Sequence, residues 1–450
     1  MTVSDRVVDY VFGYRIVRED PAVVAAARLL VLDCLGVAFA GAHDVESGTP
    51  RLASSAARPD GCSIIGATVT SAPPDAAFVN GYSAHVLEFD DSTLNPIGHP
   101  SATILPALLA VGEAHRRGGA DLLAAYLVAL EVHARLGQAR PAHWSADDPW
   151  LPIGTIGLLA TVAGAARLTG LGRSATGHAI GLATHLCGQL SVGNGSAAKP
   201  LGAGHAARCA VQAVQWAEAG FPGPADPIGR PGGFADVFLG ADRVALSSSL
   251  DRLGGPTHLG ETGVAIKRYP NCYGTHWSVD ALRDLLADNG LRADDVREVE
   301  LAYPDGAAFL DAPAPVTPEE ARFSLQYGLA ACLVHDYPQR SSFTAVAVAD
   351  PLVRRALDRI TARPHAQGTP EPDRWAHVVT VRTVDGARYR HSVRRPRGHP
   401  GNPLAEAEII AKFEDNTAEL APDRRTAVID AVADLTARPD LTGLLGPLAA

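Results

Sequence analysis

Lysine is nearly absent from this 450-residue chain: of 39 basic residues only Lys199, Lys267 and Lys412 are lysine, and the rest are arginine. With 44 glycines and 33 prolines, the bias reads as drift in a GC-rich genome that exchanges surface lysine for arginine. A lysine kept against such drift marks a position that wants a compact ammonium instead of a planar fork. Positive charge is also in short supply. The formal net charge of -10 excludes the basic face that nucleic acid requires. It does not exclude a small anionic substrate, because local pocket charge decides that.

Paired cysteines are missing too. The six present (Cys34, Cys62, Cys187, Cys209, Cys272 and Cys332) are scattered and form no CxxC, which points to free thiols in a reducing compartment. The amino terminus lacks a basic region followed by an apolar core, so a cytoplasmic protein is expected. The longest apolar stretch, Ala22 to Ala40, is interrupted by Arg28 and Asp33 and reads as a buried helix, not a membrane span. There is no HExxH and no Cys/His cluster, hence no expected metal site, and no GxSxG nucleophile elbow. Gly202-Ala203-Gly204 is half of a dinucleotide fingerprint, but a helix precedes it where a strand would be needed.

What is present is an ordinary globular composition, 47% hydrophobic and 20% charged, in a chain long enough for two domains. Residues 1–265 read as helices by apolar spacing: Pro21–Ala40, Leu122–Gln138, Thr155–Leu168, Ala175–Leu190 and His205–Ala219. Residues 266–400 change character. Arg297–Ala302 and His377–Val384 alternate as strands do, Asp385-Gly386 offers a hairpin turn, and helices are expected at Trp277–Asn289 and Arg322–Asp336. Residues 401–450 return to helix at Ala405–Glu414 and Pro422–Ala437, and would rejoin the first domain. The expected fold is mainly α: a large all-helical domain plus a smaller α+β lid.

Four segments could carry chemistry. Glu88-Phe89-Asp90-Asp91-Ser92 followed by Gly98-His99-Pro100-Ser101 fits an acid/base and binding loop; by itself it fits an exposed acidic loop with a capping Ser101 somewhat better. Lys199-Pro200-Leu201 could hold a carboxylate with helix-start amides, or simply turn the chain. Lys267 to His276 falls where the character changes, as ligand clefts do. There His276 would head a helix whose positive end favours the neutral imidazole, or it is an interface histidine, and Cys272 reads as structural. Tyr327, in Phe323-Ser324-Leu325-Gln326-Tyr327, is a hydroxyl donor or a core tyrosine.

In this order the segments resemble the MmgE/PrpD family. Glu88–Ser92 with His99-Pro100-Ser101 resembles its FDDT…HPS signature, Lys199-Pro200-Leu201 its KPL turn, and Lys267-Arg268-Tyr269-Pro270 through His276 its K-R-F/Y-P…H segment. Phe323–Tyr327 matches FSLxY, and Gly398–Leu404 with Lys412-Phe413 the C-terminal signature. All three lysines fall inside these motifs. The resemblance implies a homodimer, no cofactor, and a di- or tricarboxylate-like substrate. It implies His99, Lys199, His276 and Tyr327 as catalytic positions, with Glu88, Asp90, Asp91, Ser92, Leu151 and Lys267 around the substrate. Leu151 is a departure, standing where family members often carry a histidine; His143 is near it in sequence without being a replacement. The expected function is a cofactor-independent lyase or isomerase acting by proton transfer next to a carboxylate. Leu151 also motivates a divergent isomerase or cyclase on a less acidic substrate. A non-catalytic binding protein would keep His99, Lys199 and His276 apart.

Overall fold

Glycine lets the central helices of the first domain touch. The computed structural model describes every residue except 95–96, 141–148, 241–242, 370–375 and 450. In it, Pro73–His85 crosses Ala198–Glu218 where Gly81 meets Gly204. A Cβ on Gly204 would fall 2.4 Å from the Phe78 carbonyl oxygen, so a larger residue would push the two helices apart. Around this pair pack Pro21–Ala42, Pro100–Ala114 and Ile156–Thr169, and Gly119–Gln138 packs in turn on the last two. Pro21–Ala42 starts where Asp20 accepts from the Ala22 amide at 2.8 Å and Pro21 occupies the first turn.

The stretches Pro21–Ala42 and Pro152–Thr169 are long and apolar enough to cross a membrane by composition, but 67% and 94% of their most apolar windows are buried inside the protein. The carboxy-terminal helices share this core. Glu406–Asn416 lies on Pro21–Ala42 with Phe413 against Gly36, and Val428, Leu435, Leu441 and Leu448 are buried in the same cluster.

A second core forms the lid, around Tyr269, Leu282, Val299, Leu301, Leu329 and Val379. Its four-stranded sheet has the order Ile360–Pro364, Val296–Tyr303, His377–Thr383, Arg388–Val393. The first pair is parallel and the other two antiparallel. The helices His276–Asp288 and Leu325–His335 belong to the same core.

Three local expectations differ. The helix expected from Arg322 is two, Pro318–Arg322 and Leu325–His335, because Ser324 caps the second by accepting from the Tyr327 amide at 3.0 Å. The helix expected at His205 begins earlier, at Ala198, so Lys199 lies in its first turn. The helix expected to reach Leu190 ends at Thr184, and Leu190 instead bridges Trp150.

Candidate active site

The helix Pro73–His85 ends just before Glu88, which takes φ 51°, a left-handed conformation that glutamate rarely adopts. That turn drives the Glu88 side chain inward, where only 4% of the residue is exposed. One carboxylate oxygen is in close contact with the Lys199 ammonium, and the other is 3.1 Å from Lys267 Nζ. Lys267 also donates to the Glu88 carbonyl at 3.0 Å and sits 3.4 Å from Asp90. Two buried ammoniums thus face two buried carboxylates. Burial alone would raise the Glu88 pKa, but Lys199 and then Lys267 outweigh it and hold the group well below its ordinary value. For Asp90 the same competition against burial is won by His85 and Lys267. Burial opposes the charge on Lys267, yet Glu88 and Asp90 raise its pKa.

A two-stranded hairpin, Thr93–Leu94 with Ile97–Gly98, delivers His99 to this cluster. Ser92 anchors its base: its backbone pairs with Ala265 in both directions at 2.8 Å, which ties the loop to the crossover leading to Lys267. Gly398 is needed where that crossover meets the returning chain. It has φ 90°, and a Cβ there would fall 2.1 Å from the Ile266 carbonyl oxygen. The His99 ring is oriented through Nδ1, 2.9 Å from the Asp91 carbonyl and 3.4 Å from Asp90. Nε2 then points to Lys199 Nζ, 3.5 Å away. Burial, reinforced by the Lys199 charge, lowers the His99 pKa to about 4, so the imidazole is neutral near pH 7.

His85, Asp90 and His99 bring ligand-type atoms within 4.8 Å of one another, as metal ligands do. His85 is 2.8 Å from Asp90, however, and Lys267 shares that carboxylate. The positive charge a metal would bring is already supplied by the ammonium.

The expected residues fall into two groups. Glu88, Asp90, His99, Lys199 and Lys267 converge. His276 is wholly buried beside Tyr269 and Tyr273, and close enough to Lys267 that burial and then that charge keep it neutral. Its ring nitrogens make no well-formed hydrogen bond among the described residues.

The others are placed elsewhere. The Asp91 carboxylate turns to Ser101, whose amide donates to it at 3.2 Å and whose hydroxyl also reaches Tyr126; it thereby caps the Pro100–Ala114 helix. Leu151 is buried, donates its amide to Gln189 at 3.0 Å, and leads into a turn, Pro152–Gly154, that packs on the Ile97–Gly98 strand. Nothing is described for His143, which lies outside the described residues. Tyr327, expected as catalytic, is placed apart from the cluster: its hydroxyl donates to the Ser342 carbonyl inside the lid core, with Phe343 against its ring. Tyr327→Phe is therefore expected to leave turnover within about twofold of wild type while costing about 1 kcal/mol of stability. Steady-state kinetics beside a denaturant melt would show it, and a large kcat loss would return the tyrosine to the site.

Sequence reasoning missed His85 and gave Lys412 no role. The His85 ring lies 4.8 Å from the His99 ring at a tilt of 58°, and its position three residues before Glu88 was the available signal. Lys412 pairs with buried Asp33 at 2.7 Å, donates to the Phe89 carbonyl at 2.9 Å and lies over the Phe89 ring. It pins the carboxy-terminal helix beneath the acidic loop, so every lysine in the chain serves this neighbourhood. The lid closes over it: Phe323 lies 5.0 Å from Lys199 Nζ, and Glu319, Arg322 and Phe323 line a cleft with Tyr82, Glu88 and Lys199. The described cleft measures about 20 Å³, room for one water molecule, so a substrate entering this way must part its walls.

Comparison with known proteins identifies the family. The MmgE/PrpD N-terminal domain profile matches residues 5–247 and the C-terminal domain profile residues 269–435. Cis-aconitate decarboxylase of Homo sapiens is 28% identical over 435 residues, covering 93% of this chain and 88% of the relative. The Mus musculus protein of the same name is 27% identical, with 99% and 94% covered. Cis-aconitate decarboxylase-like protein oryM of Aspergillus oryzae is 25% identical, with 94% and 92% covered. By fold, motif order and both domain profiles, the chain belongs to the MmgE/PrpD family.

Proposed function

We propose that this MmgE/PrpD enzyme is a lyase that decarboxylates a small unsaturated polycarboxylate, with proton transfer carried by His99 and Lys199. One observation carries the reading: a neutral imidazole, fixed from behind through Nδ1, meets at 3.5 Å the ammonium of Lys199, which lines the cleft under the lid. Breaking the carbon–carbon bond to the leaving carboxylate releases carbon dioxide. The electron pair stays on the remaining carbon framework and spreads onto a neighbouring carboxylate. Lys199 is placed to stabilise that charge in a water-poor site. The Lys199–His99 pair delivers a proton to carbon, and water restores the pair afterwards. The relatives named for cis-aconitate decarboxylation support this choice over dehydration or epimerisation, which would pass through the same charged intermediate.

Leu151 favours a second reading, in which the substrate has fewer carboxylates. Leu151 leads into the Pro152–Gly154 turn that packs on the hairpin carrying His99, and its buried apolar side chain offers no charge or proton. A panel of cis-aconitate, methylcitrate, iminodisuccinate and monocarboxylate analogues, followed by NMR in heavy water with carbon dioxide capture, separates the readings. Gas release with one deuterium in the product is the expected result. Exchange or water loss without gas would replace decarboxylation by epimerisation or dehydration, and an inert panel would remove the proposal.

A further inference from the structure

On the helical side of the cleft the charges are already matched. Lys199 is paired with Glu88, and Lys267 with Glu88 and Asp90, so neither ammonium is wholly free for an incoming anion. The opposite wall differs. Arg322 ends the lid helix Pro318–Arg322, lines the cleft beside Glu88, Lys199 and Phe323, and is only 5% exposed. Its main chain is held firmly, since its carbonyl accepts from the Cys272 amide at 2.8 Å, and Cys272 belongs to the segment that carries Lys267 and His276.

The Arg322 side chain, by contrast, is barely used. It makes one long hydrogen bond, 3.4 Å from Nη2 to the Phe343 carbonyl, and lies over the Phe343 ring. Nε is buried without a partner among the described residues. Asp44, Glu319 and Glu88 are near enough to act on its charge, yet no described carboxylate comes within the 4.0 Å of an ion pair. Burying a guanidinium with idle donors is unfavourable unless something pairs with it. Its planar fork fits a carboxylate with two parallel hydrogen bonds, which an ammonium cannot match.

We propose that Arg322 binds a substrate carboxylate from the lid, so that the substrate is clamped across the cleft between Arg322 and the Lys199–His99 pair. The inference rests on the carboxylate-lyase reading above and adds its anchoring residue. Binding then supplies the missing partner of a buried cation, which favours the closed position of the lid.

Titration calorimetry with tricarballylate, a saturated tricarboxylate, tests this on the whole protein, using wild type, Arg322→Gln and Arg322→Lys, with folding of each checked by circular dichroism. The wild type is expected to bind, Arg322→Gln to bind roughly 100-fold more weakly, and Arg322→Lys to recover only part of the loss. On the turned-over substrate the loss should appear mainly in KM, whereas a merely structural arginine would lower the melting temperature and leave KM unchanged. If Arg322→Gln misfolds, Arg322→Lys carries the test alone, because charge without the fork must still weaken binding. Wild-type affinity in a folded Arg322→Gln or Arg322→Lys protein overturns the anchor and leaves the lyase reading standing. A wild type that binds and turns over no carboxylate overturns both.

Discussion

Replacing His99 with asparagine is expected to lower kcat by about 10²–10⁴-fold while hardly changing stability. The asparagine amide can still donate to the Asp91 carbonyl that His99 Nδ1 faces at 2.9 Å, so the hairpin keeps its anchor and only Nε2 is lost. Lys199→Met should reduce kcat comparably, and the double variant should be little worse than either single one, because the proposed mechanism moves one proton through the two side chains as a pair. The pH profile adds a check. His99 has its pKa lowered from 6.5 to about 4 by burial and then by Lys199, so it stays neutral well below the usual histidine range. The acid limb due to His99 should therefore fall near pH 4 and not near 6.5. The stability sign is the matching one: below 6.5 the unfolded chain takes up a proton that the folded chain refuses, so this group destabilises the fold as pH drops toward 4. A His99→Asn enzyme that retained most of its kcat would remove histidine from the proton path.

Glu88→Gln should produce the largest loss of stability, about 3–5 kcal/mol at pH 7, because it leaves two buried ammoniums short of negative charge. The affected contacts are those to Lys199 and Lys267, all within a part of the site that water scarcely reaches. The depressed pKa of Glu88 sets the pH window. Its stabilising contribution is present above the ordinary value of 4.5 and is lost as pH falls below it through the folded value. Urea melts of wild type and Glu88→Gln should thus differ most near neutrality and converge in acid. Asp91 acts in the opposite direction: burial, against the Ser101 hydrogen bond, raises its pKa to about 7, so its protonated form suits the fold and stability is lost as pH rises through that value. Adding Lys267→Met to Glu88→Gln should restore part of the loss, since it removes one of the stranded charges. Equal stability of wild type and Glu88→Gln at pH 7 would mean that the buried ion pairs contribute nothing net.

Much of this was legible along the chain. Apolar spacing marked the helices of the first domain, and alternation marked Arg297–Ala302 and His377–Val384, where the lid strands Val296–Tyr303 and His377–Thr383 lie. Ile360–Pro364 escaped because only four residues, Ile360 to Arg363, alternate before Pro364, too short a run to mark a strand, and it becomes one by pairing in parallel with Val296–Tyr303. Tyr327 was legible as a motif residue but not in its orientation, since a hydroxyl takes whichever acceptor the packed core offers, here the Ser342 carbonyl. Asp91 was likewise legible as part of an acidic run, while its attachment to Ser101 depends on how the hairpin folds back over the helix start.

The sequence by itself determined the division into helical domain and α+β lid, the family, and the importance of three lysines that survived an arginine-rich composition. Only the tertiary structure decided what those lysines do. Glu88 lies 111 positions from Lys199 and 179 from Lys267, and separations of that size leave no local periodicity to read. The same holds for Arg322, one arginine among many until the lid buries it over the cleft. Burial is the physical reason. A charge on a surface helix is screened by water and contributes little, whereas the same charge shut between two domains must find its partner, and that requirement assembles the site.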